Sequence, residues 1–185
     1  MKKLIAILMA AMMLLGCAAL AETAEKTVVF FDDSLSLAVP AMEGHTLQVI
    51  NEDGLVCFIF RPENENGIGT TYSTMIFPTD DPAYAEYASL NDLTEELMQL
   101  YIDSCLEDEM NDPSWQIRET GLGTKLLLID EHGADHDYLS LYSVYHGYQI
   151  RTYVDHDDGS EVNEDDIAAL IDFHTNLDFI DSFGK

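Results

Sequence analysis

The chain has 185 residues, with 35 Asp and Glu against 8 Lys and Arg, and a formal net charge of −27. A surface this acidic repels nucleic acid and anionic lipid heads, which excludes DNA- or RNA-binding and membrane-surface modules. With 47% hydrophobic and 10% aromatic residues the chain is not disordered, and its length suits one well-buried domain.

Residues 1–21 read as an export signal. Lys2 and Lys3 precede the apolar run Leu4–Leu15, whose 12 residues are too short to span a bilayer. No second run follows, so no transmembrane segment is expected. Ala19-Leu20-Ala21 forms an A-x-A site for signal peptidase. Leu14-Leu15-Gly16-Cys17 is a competing lipobox, after which Cys17 would carry a lipid anchor. The apolar stretch after Cys17 fits a cleavage region better than a tether, so release after Ala21 is expected. Loss of both lysines then moves the charge from −27 to −29. The expectation is an exported protein, secreted or envelope-associated, with the lipoprotein as alternative. Residues 22–33 are read as a linker and first strand, and 34–185 as a single domain.

Along that domain, short strands come first. Ser34–Val39 alternates and stops at Pro40. Thr46–Ile50 and Leu55–Arg61 flank Asn51-Glu52-Asp53-Gly54, where Asp-Gly between apolar runs signals a hairpin. Thr71–Phe77 is β-rich and ends at Pro78. A helix capped by Ser89 or Asn91 follows, with the stripe Leu93, Leu97, Leu100, Tyr101 and Cys105, and fades by Met110 before Pro113. Trp115–Thr120, Thr124–Asp130, Tyr138–Tyr145 and Tyr148–Asp155 form a meander, its last two strands joined by the turn His146-Gly147. If that turn is tight, Tyr145 pairs with Tyr148. A second helix begins near Asn163 with Ile167, Leu170, Ile171, His174 and Leu177 on its buried stripe. This order predicts an α+β fold: an antiparallel sheet of about seven to eight strands packed against two helices.

Three features of the chain resemble the PsbP-like family of small exported α/β/α sandwiches. They are Ser34–Val39 closed by Pro40, Gly121-Leu122-Gly123-Thr124-Lys125 leading into Leu126–Ile129, and the terminal helix ending in Leu177-Asp178-Phe179-Ile180-Asp181-Ser182. The family's usual glycine-tryptophan pair after the opening proline is replaced by Ala41-Met42-Glu43-Gly44. The resemblance implies a non-enzymatic accessory or partner-binding role, and no site residue carries over.

Chemistry-bearing residues concentrate in Asp130-Glu131-His132-Gly133-Ala134-Asp135-His136-Asp137 and Asp155-His156-Asp157-Asp158-Gly159. Successive meander turns alternate ends of a sheet, so both stretches are expected at one rim. His132, Asp135, His136, Asp155 and Asp157 would there form a site for Ca²⁺ or Zn²⁺, oxygen ligands suiting the first and added imidazoles the second. Solvated polar turns are the alternative. Residues 155–166 also follow a calcium-loop spacing, with Asp155, Asp157, Val162, Asn163 and Asp166 at positions 1, 3, 8, 9 and 12, but Ser160 replaces the glycine of position 6. The alternative is a helix capped by Asn163, with acids on its dipole.

His174 reads as a hydrogen-bonded core histidine. Tyr138, Tyr142 and Tyr153 fall on the sheet face opposite Leu139, Leu141, Ile150 and Val154. Cys57 and Cys105 could pair as a disulfide in an exported chain or stay buried as thiols. No nucleophile elbow, H-E-x-x-H, P-loop or dinucleotide fingerprint is present. The expectation is therefore a non-enzymatic protein binding an unidentified protein or small ligand. A metal module is the first alternative, and a small carboxylate-based hydrolase the second.

Overall fold

The computed structural model describes residues 26–30, 35–52, 54–64, 66, 68–79, 82–107, 113–132 and 137–181. The expected export segment with Cys17, and the turn holding Asp135 and His136, lie outside them.

Alternating apolar residues build the strands. Three of them, β1 (Lys26–Phe30), β2 (Leu35–Pro40) and β10 (Asp178–Asp181), form a small antiparallel sheet with β2 in the middle. The other seven are β3 (His45–Glu52), β4 (Leu55–Pro62), β5 (Thr70–Pro78), β6 (Ser114–Glu119), β7 (Lys125–His132), β8 (Asp137–Tyr145) and β9 (Tyr148–His156). They form one antiparallel sheet in the order β3-β4-β5-β9-β8-β7-β6. Two meanders are thus stitched together by the β5–β9 pair. The expected α+β architecture with two helices is present.

Period-2 side-chain alternation gives the large sheet two faces. On the first, Val56, Phe58, Phe60, Ile76 and Ile150 pack against Leu37 and Val39 of the small sheet and Phe173 of helix α2 (Glu164–Thr175). Leu126, Leu128, Leu139, Leu141 and Val154 continue that layer under Leu170. On the second face, Leu127, Ile129, Tyr142 and Val144 pack under Tyr101, Ile102 and Cys105 of helix α1 (Glu95–Glu107). One helix therefore lies on each face, and the small sheet completes the first.

Several boundaries differ from expectation for local reasons. Ser89 does form a capping box with Asp92, but it opens a short 3₁₀ turn, Leu90–Asp92. The α-helix starts later, where the Thr94 hydroxyl accepts from the Leu97 N–H at 3.3 Å. Its buried stripe is consequently Tyr101, Ile102 and Cys105, while Leu100 is 53% exposed. At the other end, α2 stops at Thr175. The Asn176 side chain donates to the Asp172 carbonyl at 2.8 Å and closes the last turn. Residues 178–181, expected to end a helix, form β10 beside β2.

Candidate functional site

The meander places the turns as expected: Tyr145 pairs with Tyr148, and the register runs back to Leu139 opposite Val154. His132 and Asp137 face each other where β7 meets β8. Of the other expected rim residues, Asp155 and Asp157 fall on one side of the chain at the end of β9, while Asp135 and His136 lie outside the described residues. Strand alternation sends His156 to the first face and Asp155 to the second. His156 lies under α2, its Nδ1 at 2.8 Å from the Ser160 hydroxyl and its Nε2 at 3.2 Å from Asp166 Oδ2, off the line of a hydrogen bond.

Asp166 is occupied by helix capping. Its carboxylate accepts from the Asn163 N–H at 2.9 Å, while the Asn163 side chain accepts from the N–H groups of Asp165 and Asp166. A reciprocal capping box satisfies orphan donors of the first turn and turns Asp166 away from Asp155 and Asp157. The calcium spacing therefore folds as a strand end, a turn with Gly159 at φ +70° and a capped helix. Among the described residues no three His, Cys, Asp or Glu side chains gather as a metal-holding group.

Asp155 and Asp157 instead line a cleft of about 290 Å³ on the second face, with Ile59, Arg61, Thr71, Ser73 and Tyr153. Its origin is the strand order. β5 lies between β4 and β9, with Ile59 opposite Ser73, Ser73 opposite Tyr153 and Thr71 opposite Asp155. Continuing the β4–β5 register places Arg61 beside Thr71. Two rows thus cross the sheet, Ile59–Ser73–Tyr153 and Arg61–Thr71–Asp155. Each has a short hydroxyl residue in the middle and a long or charged one on either side, so a trench runs along β5. Past His156 the ladder continues through Asp157, whose N–H donates to the Gly69 carbonyl at 3.1 Å and whose carboxylate accepts from the Gly69 N–H at 3.2 Å. That fixes Asp157 at the trench mouth.

The far wall is braced. Arg151 sits with its guanidinium carbon 5.2 Å from the Tyr142 ring centroid and 6.0 Å from that of Tyr153, donating to the Ser140 hydroxyl at 3.3 Å. Tyr142 and Tyr153 do share the second face, as the alternation required. Among the described residues, no hydrogen bond or ion pair engages the Arg61 guanidinium or the Asp155 carboxylate. Arg118, on β6, lies 3.5 Å from the exposed Glu164 carboxylate. A pair this exposed contributes little.

A second cavity, about 250 Å³, lies on the first face between the 121–124 turn, α2 and β8, and Ser143 and His174 reach its edge. Ser143 Oγ is 2.7 Å from His174 Nε2, and Thr152 Oγ1 is 3.1 Å from Nδ1. Thr152 in turn lies 3.1 Å from the Thr74 hydroxyl. Spacing alone would admit a serine nucleophile, but a hydroxyl stands where a triad has its carboxylate. Burial lowers the His174 pKa to about 4, so an imidazolium formed by deprotonating Ser143 has nothing to stabilise it. This is a satisfied core network, as expected of a histidine on an apolar stripe.

Cys57 and Cys105 are both buried, and neither is joined in a disulfide. Burial raises the Cys57 thiol pKa, which leaves it a poor nucleophile. No helix among the described residues is long and apolar enough to cross a membrane.

A scan against protein-family models and a search of curated proteins both return no match.

Proposed function

We propose that this chain is an exported, non-enzymatic binding protein of the bacterial envelope or extracellular space, with the β5 trench as its ligand site. The observation that supports this is the Arg61–Thr71–Asp155 row: opposite charges flank a notch and engage no described partner. Convergent polar groups left open in a concave site are what a small-molecule site requires. The cavity beside Ser143 lacks this property, because its polar groups already bond one another. The PsbP-like motifs point towards the same accessory class.

Thermal melts against three panels, free amino acids, dicarboxylates and diamines, test the assignment. A ligand that binds only the folded state raises the melting temperature by mass action. At least one class is expected to raise it for the wild type and not for Thr71→Trp, which fills the notch. Absence of any stabilising class, or equal shifts in both proteins, would overturn the trench as the site.

The carboxylate-hydrolase reading keeps one supporting observation, since Asp155 and Asp157 line the same cleft. Acid–base work of that kind needs one carboxyl in a desolvated setting. Asp157 is exposed and tied to the Gly69 N–H, which favours binding over turnover.

A further inference from the structure

The charges of the trench define its ligand more narrowly, and this step rests on the trench being the ligand site. Arg61 and Asp155 stand on strands either side of β5, two strand spacings apart, or roughly 10 Å between Cα atoms. They form no ion pair with each other. Thr71 between them is too short to fill the gap. A lone cation would meet the Arg61 guanidinium, and a lone anion would meet Asp155 and Asp157. Only a molecule carrying both charges satisfies both sides. The neighbouring row offers an apolar wall, Ile59 and the Tyr153 ring, over the small floor residue Ser73, which is 3% exposed.

We propose that the trench binds a zwitterion of the α-amino acid class, its carboxylate on Arg61, its ammonium against Asp155, and an apolar side chain along Ile59 and Tyr153. Guanidinium–carboxylate pairing has the planar, two-point geometry that fits one end. Asp157, anchored by Gly69, adds negative charge on the ammonium side. The cleft of about 290 Å³ has room for such a ligand.

Calorimetric titration of the purified chain with three probes tests this. They are L-leucine, its methyl ester, which keeps only the cation, and N-acetyl-L-leucine, which keeps only the anion. Saturable leucine binding at least tenfold tighter than either analogue is expected, since each charge-assisted contact accounts for about a factor of ten or more. Arg61→Gln should weaken leucine at least tenfold and leave the ester unchanged. Asp155→Asn should weaken leucine and the ester and spare the N-acetyl form. An ester that binds as tightly as leucine would mean simple attraction of a cation to an acidic surface, and would overturn the zwitterion while leaving the trench as a site. An N-acetyl form equal to leucine would do the same. Absence of saturable heat from all three probes, with no class raising the melting temperature in the panels above, would overturn both readings.

Discussion

Ser143 Oγ lies 2.7 Å from Nε2 of His174, so strand β8 and helix α2 are joined through the core by a serine–imidazole hydrogen bond. Thr152 Oγ1 takes the other ring nitrogen at 3.1 Å. A neutral imidazole donates through one nitrogen and accepts through the other, and the two hydroxyls rotate to match. Burial holds the ring in that neutral form, with a pKa lowered from 6.5 to about 4.

That depression predicts an acid-sensitive fold. The unfolded histidine takes up its proton near pH 6.5, before the folded one does near pH 4, so the unfolded state binds more protons between those values. Stability therefore rises with pH across that window and is lost as pH falls from about 6.5 to about 4, by up to ~3 kcal/mol from this group. Unfolding free energy measured by denaturant at several pH values should fall more steeply for the wild type than for His174→Gln. Parallel slopes would remove His174 as the cause.

Thr152→Val keeps shape and removes a hydroxyl shared by His174 and Thr74. The groups left behind, the Thr74 hydroxyl and His174 Nδ1, belong to residues only 0% and 8% exposed, so both are shielded from water. A loss of about 1–3 kcal/mol is expected from a buried polar group left unsatisfied. Thr74→Val alone should be destabilising as well. The double variant should cost less than the sum, because the second change removes a group the first had stranded. Strict additivity in chemical denaturation would show that the three side chains do not act as one chain.

The same residues show what could be read in advance. His174 falls at helical spacing with Leu170 and Leu177, so a buried, bonded histidine was legible from periodicity. The tight turn at His146-Gly147 correctly set Tyr145 against Tyr148. Local signals of this kind depend on neighbours in sequence. The trench was not legible, because Arg61 and Asp155 meet only through the β5–β9 pairing of two separate meanders, which no turn or spacing announces. Alternation on β9 separates neighbours in the acidic stretch. Asp155 and Asp157 go to one face and His156 to the other, while Asn163 claims Asp166 for a cap. The end of α2 was misread for a related reason. Leu177 continues the apolar stripe, but Asn176 caps the helix and the following residues gain strand bonds to β2.

Gly147 should be among the least replaceable glycines. It sits at φ +82° after His146 at φ +47°, the handedness a two-residue hairpin turn requires. A Cβ there would stand 3.3 Å from the Ala85 Cα. The turn cannot shift freely, because the His146 N–H donates to the Tyr87 carbonyl at 2.7 Å and the Thr79 N–H donates to the Gly147 carbonyl at 2.8 Å. Gly147→Ala is expected to cost more than the ~1–2 kcal/mol of left-handed backbone strain alone. Gly44, at φ +73° with open space around it, supplies the control. Equal losses for Gly147→Ala and Gly44→Ala would mean that the Ala85 approach contributes nothing.

Cys57 and Cys105 lie on different elements, β4 and α1, at 9% and 3% exposure. Neither is joined in a disulfide, although an even pair would invite a bridge in an oxidising compartment. Burial leaves the Cys57 thiol little thiolate at neutral pH, and a thiol without solvent access cannot meet an aromatic disulfide reagent. Purified native protein lacking residues 1–21, and with them Cys17, should therefore react very slowly. In denaturant without reductant it should release two equivalents at once, and alkylation should add two labels to its intact mass. Release of no thiol on denaturation would show that the pair had oxidised. A fast-reacting thiol in the native protein would instead show that one of these positions opens to solvent.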